Sequence, residues 1–343
     1  MSIVCDINEI NQESWQKLIQ DSHTATWFQT WNAYQFFDGL SFLEAFMVAV
    51  KTDGVLKGLV TGYIQKDGGR LKQFLSKRAI ILGGPLLAND ITRDELNALL
   101  GALKDNLKRK AIYIETRNFN DFSQWRAVFE DCGFKYEPHY NVQVDTVSIE
   151  AINARLDRNR RRNIKKAVEN GVIIDDNPTE KELQVFYKML EDLYRIKVKT
   201  PIYPYEFFAK LRKEPSSRFF MAKNEGGEIL GGLVCVVLEG RAIYAWAACG
   251  DDQNNRVLSP SVMANYAGIC HAAENGFSRF DFMGAGKPGD GGYGVRDFKL
   301  KFGGELVEHG RFIHICSPLL FALGKTGVKL MKRLCVFLNL LKE

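Results

Sequence analysis

Hydrophobic and polar residues along this chain repeat one order of predicted elements twice. Apolar runs bounded by turn residues predict two strands, a third short strand, a helix and a buried strand in the first half, at residues 46–50, 58–65, 79–82, 92–108 and 112–116. In the second half, Phe220 and Gly232 align with Phe46 and Gly58 at the same offset. The elements predicted there are strands, a helix and a strand, at residues 243–248, 260–275 and 279–283.

The repeat predicts an α/β (α+β) chain of two tandem domains, each with a mixed, mostly antiparallel central sheet. We place the first domain at residues 1–150, joined by the tail at 316–343, and the second at 151–315.

A second pattern lies at residues 293–305. From Arg296 to Lys301, positive charges alternate with bulky apolar residues, which predicts a strand with one basic and one buried face. Lys299 and Lys301 would then project together, after a glycine-rich loop at 284–292. Such a strand either binds an anionic ligand or is an edge strand kept soluble by its lysines.

The segment between the halves is strongly basic. Residues 151–171 are predicted to be helical and to end at Gly171. Within it, residues 155–166 carry seven cations against one acid, Asp157: Arg155, Arg158, Arg160, Arg161, Arg162, Lys165 and Lys166. Like charges at this density repel one another, so the helix either contacts phosphate or presents a solvated face.

Composition limits the class of protein only loosely. The 343 residues carry a net charge of +5 and are 46% hydrophobic and 25% charged, as in a folded soluble protein. Seven cysteines without a CxxC pair and a start without a signal peptide predict a reduced, cytoplasmic protein. Five histidines show no metal-ligand spacing, so no metal is expected. The basic, apolar tail at 319–343 either contacts the inner face of the cell membrane or docks on the first domain.

Several motifs together resemble the Fem aminoacyltransferase family. The run from Phe298 to Gly304, with Gly310 after it, is similar to the family's C-terminal signature. Residues 161–172 resemble its interdomain helix. Further matches are residues 28–31, 83–85 and 259–261.

The resemblance implies two domains of the acetyltransferase (GNAT) type. It also implies transfer of an amino acid from aminoacyl-tRNA, a co-substrate, to an amine of a peptidoglycan precursor or related cell-envelope acceptor, with no bound cofactor. The lysine of the family's signature maps to Lys299, which would either stabilise the charge that develops on the attacked ester carbonyl or hold the 3′ end of the tRNA. Asp281, at a strand end, is the expected carboxylate near the amine.

The expected site therefore has three groups of residues. The predicted catalytic residues are Lys299 and Asp281. The predicted substrate-binding residues are Phe298, Arg296, Lys301, Tyr244, Trp246, Arg195, Lys199 and Tyr203. The predicted tRNA phosphate-binding residues are Arg158, Arg161, Arg162 and Lys165.

Two other functions stay open. An acyl-CoA-dependent N-acyltransferase acting on an amino sugar or envelope glycan would keep the fold and change the donor. The stretch Arg256–Ser261, where such enzymes carry a glycine-rich pyrophosphate loop, has no glycine, which disfavours CoA. A non-catalytic RNA- or membrane-binding module would use the basic helix and the tail.

Overall fold

The computed structural model describes residues 1–65, 77–198, 200–290 and 294–324. Internal contacts divide the chain into two compact units. The first comprises Met1–Pro138 and His309–Glu343, and the second comprises His139–Glu308.

The first unit is built on one mixed sheet. Its strands are β1 (Ser2–Val4), β2 (Leu43–Thr52), β3 (Val55–Gln65), β4 (Arg78–Gly83), β5 (Leu86–Leu87), β6 (Tyr113–Asn118), β7 (Lys135–Glu137) and β15 (Arg311–Ile315). They run in the order β1-β2-β3-β4-β6-β15-β7, with β5 paired to β3. Its helices are α1 (Gln12–Asp21), α2 (Trp31–Asp38), α3 (Arg93–Leu107) and α4 (Arg126–Asp131).

Helix α3 shows why this unit folds as the sequence predicts. The Thr92 hydroxyl accepts from the backbone N–H of Glu95, and the Glu95 carboxylate accepts from the backbone N–H of Thr92, so the expected capping box is present. Leucines at helical spacing on α3 are buried against the apolar face of the sheet, at positions 96, 99, 100, 103 and 107. Beside them, β4 and β6 pair in parallel from Arg78 opposite Tyr113 to Gly83 opposite Asn118.

The second unit repeats this architecture, as the duplication predicts. Its strands are β8 (Tyr140–Asp145), β9 (Ile173–Asp175), β10 (Ser217–Lys223), β11 (Ile229–Leu238), β12 (Ala242–Gly250), β13 (Arg279–Gly284) and β14 (Glu305–Glu308), in the order β14-β8-β13-β12-β11-β10-β9. Its helices are α5 (Ile149–Arg155), α6 (Arg158–Glu169), α7 (Glu180–Leu193), α8 (Tyr205–Leu211), α9 (Pro260–Glu274) and α10 (Gly294–Leu300), and Tyr194–Val198 form a π-helical turn.

The units differ from the predicted domains at two strands. β8 follows the first unit in the chain but lies between β13 and β14 in the second sheet. β15 follows the second unit but lies between β6 and β7 in the first sheet. Residues 139–150 therefore belong to the second unit and 309–315 to the first, because each sheet takes a strand that is distant in sequence.

The alternating stretch from Arg296 to Lys301 is not a strand, and this prediction was wrong. Residues 294–300 form helix α10. Alternation over six residues also fits a helix in which Phe298 and Phe302, four positions apart, pack together with ring centroids 5.5 Å apart. Gly303, with φ of 78°, adopts the left-handed conformation that ends many helices. On a helix, Lys299 and Lys301 do not project together.

The tail prediction lies mostly outside the described residues. Residues 318–324 are helical, and the Phe321 ring packs edge-on against Tyr113 at 5.4 Å within the first unit. Residues 325–343 lie beyond the described part of the chain. Within the ranges that are described, no helix combines the length and apolar character needed to cross a membrane.

Candidate active site

The second sheet opens between its two parallel strands. β12 and β13 pair at three positions, ending at Tyr244 opposite Asp281. β12 continues to Gly250 and β13 to Gly284 without further pairing between them. The ladder between β11 and β12 also shifts at Trp246, which is left as an extra residue on β12. These features leave the carboxyl ends of β12 and β13 apart, which is the edge where ligands enter open α/β sheets.

Lys299 lies at this edge. Its Nζ donates to the carbonyl oxygens of Phe282 at 2.7 Å and Gly284 at 2.8 Å. These carbonyls lie where the pairing of β13 with β8 becomes irregular. The residue between them, Met283, has φ of 58°, a strained value for a residue other than glycine. An ammonium has three N–H donors, and in the described part of the chain these two carbonyls take two of them. The third is available to a ligand oxygen.

Burial tunes the charge on Lys299. Removal from water lowers the pKa of its ammonium to about 8, and the Asp281 carboxylate opposes part of this fall. Lys299 is therefore mostly protonated at neutral pH and loses its charge in mildly alkaline solution.

Asp281 is fully buried under the same edge. Its carboxylate accepts from Gln143 Nε2 at 2.9 Å and from the backbone N–H of Met283 at 2.6 Å. Burial raises the pKa of Asp281, against the charges of Arg279 and Lys299 and these two hydrogen bonds. With no exposed surface, Asp281 acts on Lys299 through its charge and holds the strained turn at Met283, rather than contacting a substrate.

Arg160, on α6, packs against Phe298 of helix α10 and the nearby Phe302. It is 5% exposed, and its guanidinium carbon lies 4.4 Å from the ring centroid of Phe298 and 4.3 Å from that of Phe302. Its Nη2 donates to the carbonyl oxygen of Phe298 at 3.0 Å. Its buried Nε has no partner among the described residues.

Beside Arg160 lies a pocket with a volume of about 390 Å³. Its lining combines polar and charged side chains with the ring of Phe298, and includes Asn159, Arg160, Asn163, Asp252, Arg256 and Lys301. Lys301, predicted to bind substrate, is exposed on its rim.

The N-terminus of α9 borders this pocket and is already capped. Asp252 accepts from the backbone N–H of Ser261 at 3.1 Å and from the Ser261 hydroxyl. The next two N–H groups, of Val262 and Met263, bond to the carbonyl oxygen of Ser259, each at 3.0 Å. Pro260 has no N–H. The first turn of α9 therefore has no donor left for an anion, and a carboxylate occupies the position that an anion would take.

Aromatic residues meet on the strand bulge. Phe207 is fully buried and stacks on Tyr203 at 4.8 Å and on Trp246 at 4.9 Å. Tyr203 and Trp246 remain half-buried, so the structure brings these two predicted substrate residues together. Tyr244 is different: it has no exposed surface, and its hydroxyl lies 3.4 Å from Arg279. The prediction that Tyr244 contacts substrate was therefore wrong, because its side chain fills the core.

The remaining predicted residues lie elsewhere on the second unit. Arg296 donates to the carbonyl oxygens of Ala285 and Lys287, each at 2.8 Å, and so ties the end of β13 to α10. Arg195 is exposed and pairs with Asp192 at 2.6 Å. Lys199 lies outside the described residues. The predicted phosphate-binding residues are all exposed on α6, namely Arg158, Arg161, Arg162 and Lys165.

Sequence reasoning missed three residues of the pocket as site residues: Arg160, Asp252 and Arg256. In the sequence, Arg160 is one cation in a basic run. A signal was present, since Arg160, Ile164 and Ala167 have the spacing of one helical face and form the buried face of α6. Asp252 had no such signal, because its contact to Ser261 depends on the folding of a loop.

These features define the class of protein. Residues 154–299 match the model of the acetyltransferase (GNAT) domain family. The second unit is therefore a GNAT-type domain, and the chain is an acyltransferase, as the sequence predicted. A comparison of the sequence with curated proteins gave no match.

The fold of the whole chain is similar to that of FemX, with a TM-score of 0.72, 15% identity, and coverage of 94% of this chain and 99% of that one. It is also similar to L-PGS from Bacillus licheniformis (TM-score 0.57, 14% identity, coverage of 94% and 97%). A third similar structure is a tandem GNAT protein from the clavulanic acid biosynthesis pathway, with a TM-score of 0.60, 9% identity, and coverage of 92% of this chain and 99% of that one. The prediction of two tandem GNAT-like units is confirmed for the fold, which is similar to that of FemX.

Proposed function

We propose that this protein transfers an amino acid from aminoacyl-tRNA to an amine of a peptidoglycan precursor or a related cell-envelope acceptor. The observation that carries the proposal is the pairing of two features at one end of the second unit. A lysine ammonium whose third donor has no partner among the described residues lies at the open edge of the sheet, and the N-terminus of the adjacent helix α9 offers no backbone donor to a pyrophosphate.

The reaction places charge where Lys299 can stabilise it. The neutral acceptor amine attacks the ester carbonyl carbon, and the carbonyl oxygen gains negative charge. The C–N bond then forms fully while the ester C–O bond breaks. The proton of the amine passes to the departing ribose oxygen, giving an amide and a free tRNA hydroxyl. The third N–H of Lys299 donates to the oxygen while it is negative, an interaction stronger in the transition state than in the ground state.

The site favours an aminoacyl ester over a thioester of CoA. Enzymes that use CoA bind its pyrophosphate with backbone N–H groups at a helix N-terminus. Here the Asp252 carboxylate takes that position on α9, and Ser259 accepts from the next two N–H groups. A pyrophosphate would have to displace an ionised carboxylate from its hydrogen bonds. An RNA 3′ end can be held by side chains instead.

The envelope acceptor is supported by the resemblance of motifs to the Fem family and by the similarity of fold to FemX. A peripheral contact of the tail with the inner face of the cell membrane belongs to the same proposal, since lipid-linked precursors are presented there.

A direct assay tests the donor. The full-length protein is incubated with labelled aminoacyl-tRNA or with labelled acetyl-CoA, each with peptidoglycan precursors, and the products are separated by mass. We expect a precursor heavier by one amino acid residue with aminoacyl-tRNA and no product with acetyl-CoA. Turnover with acetyl-CoA alone would show that the protein is instead a CoA-dependent N-acyltransferase.

A further inference from the structure

The pocket beside Arg160 holds a group of charges that its own protein contacts do not balance. Arg160, Arg256 and Lys301 line it together with one carboxylate, Asp252. That carboxylate already accepts two hydrogen bonds from Ser261. Three cations against one acid leave the pocket with a net positive charge, which favours an anionic occupant.

Arg160 itself has an unused donor. It is almost completely buried, and its Nε–H has no partner in the described part of the chain. Burial lowers the pKa of Arg160 to about 10, so it stays charged at neutral pH, with Asp252 and Asp157 opposing the shift. A buried guanidinium charge is disfavoured unless an anion lies near it, and Arg160 lines the pocket.

The neighbouring surface indicates a polymer of phosphates rather than a single nucleotide. Asn159, Arg160 and Asn163 line the pocket from helix α6. The same helix carries four exposed cations, Arg158, Arg161, Arg162 and Lys165. The pocket therefore lies at the side of a basic helix that can contact further phosphates of one strand.

Resting on the proposed function, we infer that this pocket binds one phosphodiester near the 3′ end of the donor RNA, with Arg160 and Arg256 as its guanidinium contacts and Lys301 at the rim. The phosphate is bound by side chains, in place of the backbone donors that α9 no longer offers. Since Phe298 lines the pocket and precedes Lys299, a strand anchored there lies beside the helix that carries the catalytic lysine.

The test uses rim residues, because removing Arg160 would also remove its packing between two phenylalanine rings. Arg256→Gln and Lys301→Gln each remove one exposed charge, and Lys213→Gln removes an exposed lysine of the same unit outside the pocket. Binding of a fluorescent single-stranded RNA ending in CCA to the full-length protein is measured by anisotropy over a range of KCl concentrations. A competition arm uses CoA and a nucleoside-diphosphate sugar.

We expect each rim variant to weaken RNA binding about tenfold, as for removal of a charged hydrogen bond. The slope of log affinity against log salt should fall by about 0.7 for each phosphate that a variant no longer binds. Lys213→Gln should change affinity by less than about twofold.

RNA binding that is unchanged in both rim variants would overturn the inference. So would variants that bind RNA normally but are less sensitive to competition by CoA or by the nucleoside-diphosphate sugar. The outcome is separable from the proposed function. Weaker RNA binding by the variants of a protein that transfers no amino acid supports the pocket and rejects the activity. Unchanged RNA binding by the variants of a protein that does transfer an amino acid rejects the pocket and supports the activity.

Discussion

The two units share an order of strands and differ at the place where their parallel strands end. In the first unit, β4 and β6 pair along their whole length, up to Gly83 opposite Asn118. In the second, β12 and β13 part after Tyr244 and Asp281. A closed ladder leaves no room for a ligand between strands, and an open one does. The same architecture therefore offers an opening between its parallel strands in the second unit and none between β4 and β6 in the first.

A buried acid in each unit shows the same division. Glu115 in the first unit pairs with Arg117 at 3.3 Å and with Arg311. Asp281 in the second accepts from Gln143 and a backbone N–H, and its charge acts on both Arg279 and Lys299. Two arginines pair directly with the first acid, whereas the second acid also affects the pKa of a lysine.

The largest effect should come from Lys299→Ala. Removing a donor to the developing oxyanion lowers kcat by about 10²- to 10³-fold. Lys181→Ala, at an exposed position on α7, should leave kcat unchanged. Single-turnover transfer, with thermal unfolding to confirm the fold, measures both. A Lys299→Ala protein with the wild-type rate would show that catalysis does not use the open edge of the second sheet.

Glu115→Gln should affect stability and leave catalysis alone. Removing this buried carboxylate takes the ion-pair partner from the half-buried guanidinium of Arg311, which lowers the free energy of unfolding by about 3 kcal/mol. Burial would raise the pKa of Glu115, but the charges of Arg117 and Arg311 outweigh it and hold the pKa below its usual range. The stabilisation is therefore present above the unfolded-state pKa and is lost as pH falls through the folded-state value. Denaturant unfolding at several pH values measures it; a drop in kcat of the folded protein would contradict the division between units.

Asp281→Asn should move the pH profile. The carboxylate favours the protonated form of Lys299, whose pKa is about 8, so removing it lowers that pKa further. The alkaline limb of kcat then shifts to lower pH. Asp297→Asn, on the same helix as Lys299 but exposed, is the matched control and should leave the limb in place. If both variants keep the wild-type limb, Asp281 has no electrostatic role.

The smallest effect is expected on the basic helix. Reversing Arg161 and Arg162 to glutamate should weaken tRNA binding and flatten its salt dependence, with kcat at saturating tRNA unchanged. Reversing the exposed Arg109 and Lys110 of the first unit should do neither. Equal reductions in affinity from both double variants would mean that net charge, rather than helix α6, governs binding.

Local signals predicted much of the fold. The repeat, the order of strands and the capping box of Thr92 and Glu95 are encoded by residues close in sequence. The helix at Gly294–Leu300 was predicted as a strand, because six residues that alternate in polarity fit both the two-residue period of a strand and the 3.6-residue period of a helix. The positions of β8 and β15 were missed because their pairings join residues far apart, which no local pattern records.

Candidate site residues could be assigned where chemistry is tied to a motif. Lys299 was assigned by its resemblance to the family's signature, although the predicted strand placed it wrongly. The burial of Arg160 could be predicted from helical spacing. The capping of α9 by Asp252 could not, since it depends on the path of a loop. Tyr244 was assigned to the substrate because the sequence does not show where the parallel strands part.

The exchanged strand β15 also governs when the first unit can be completed. The backbone N–H of Phe312 bonds to the Thr116 hydroxyl across 196 positions of the chain, so β6 and β7 lack the strand between them until the second unit has left the ribosome. Completion of the first sheet therefore requires β15 to insert between β6 and β7 after residues 139–308 have been synthesised. Contacts of such long sequence separation slow folding and leave strand edges exposed in the meantime. A fragment that stops at Pro138 should accordingly aggregate, and a peptide spanning β15, supplied in trans, should reduce that aggregation.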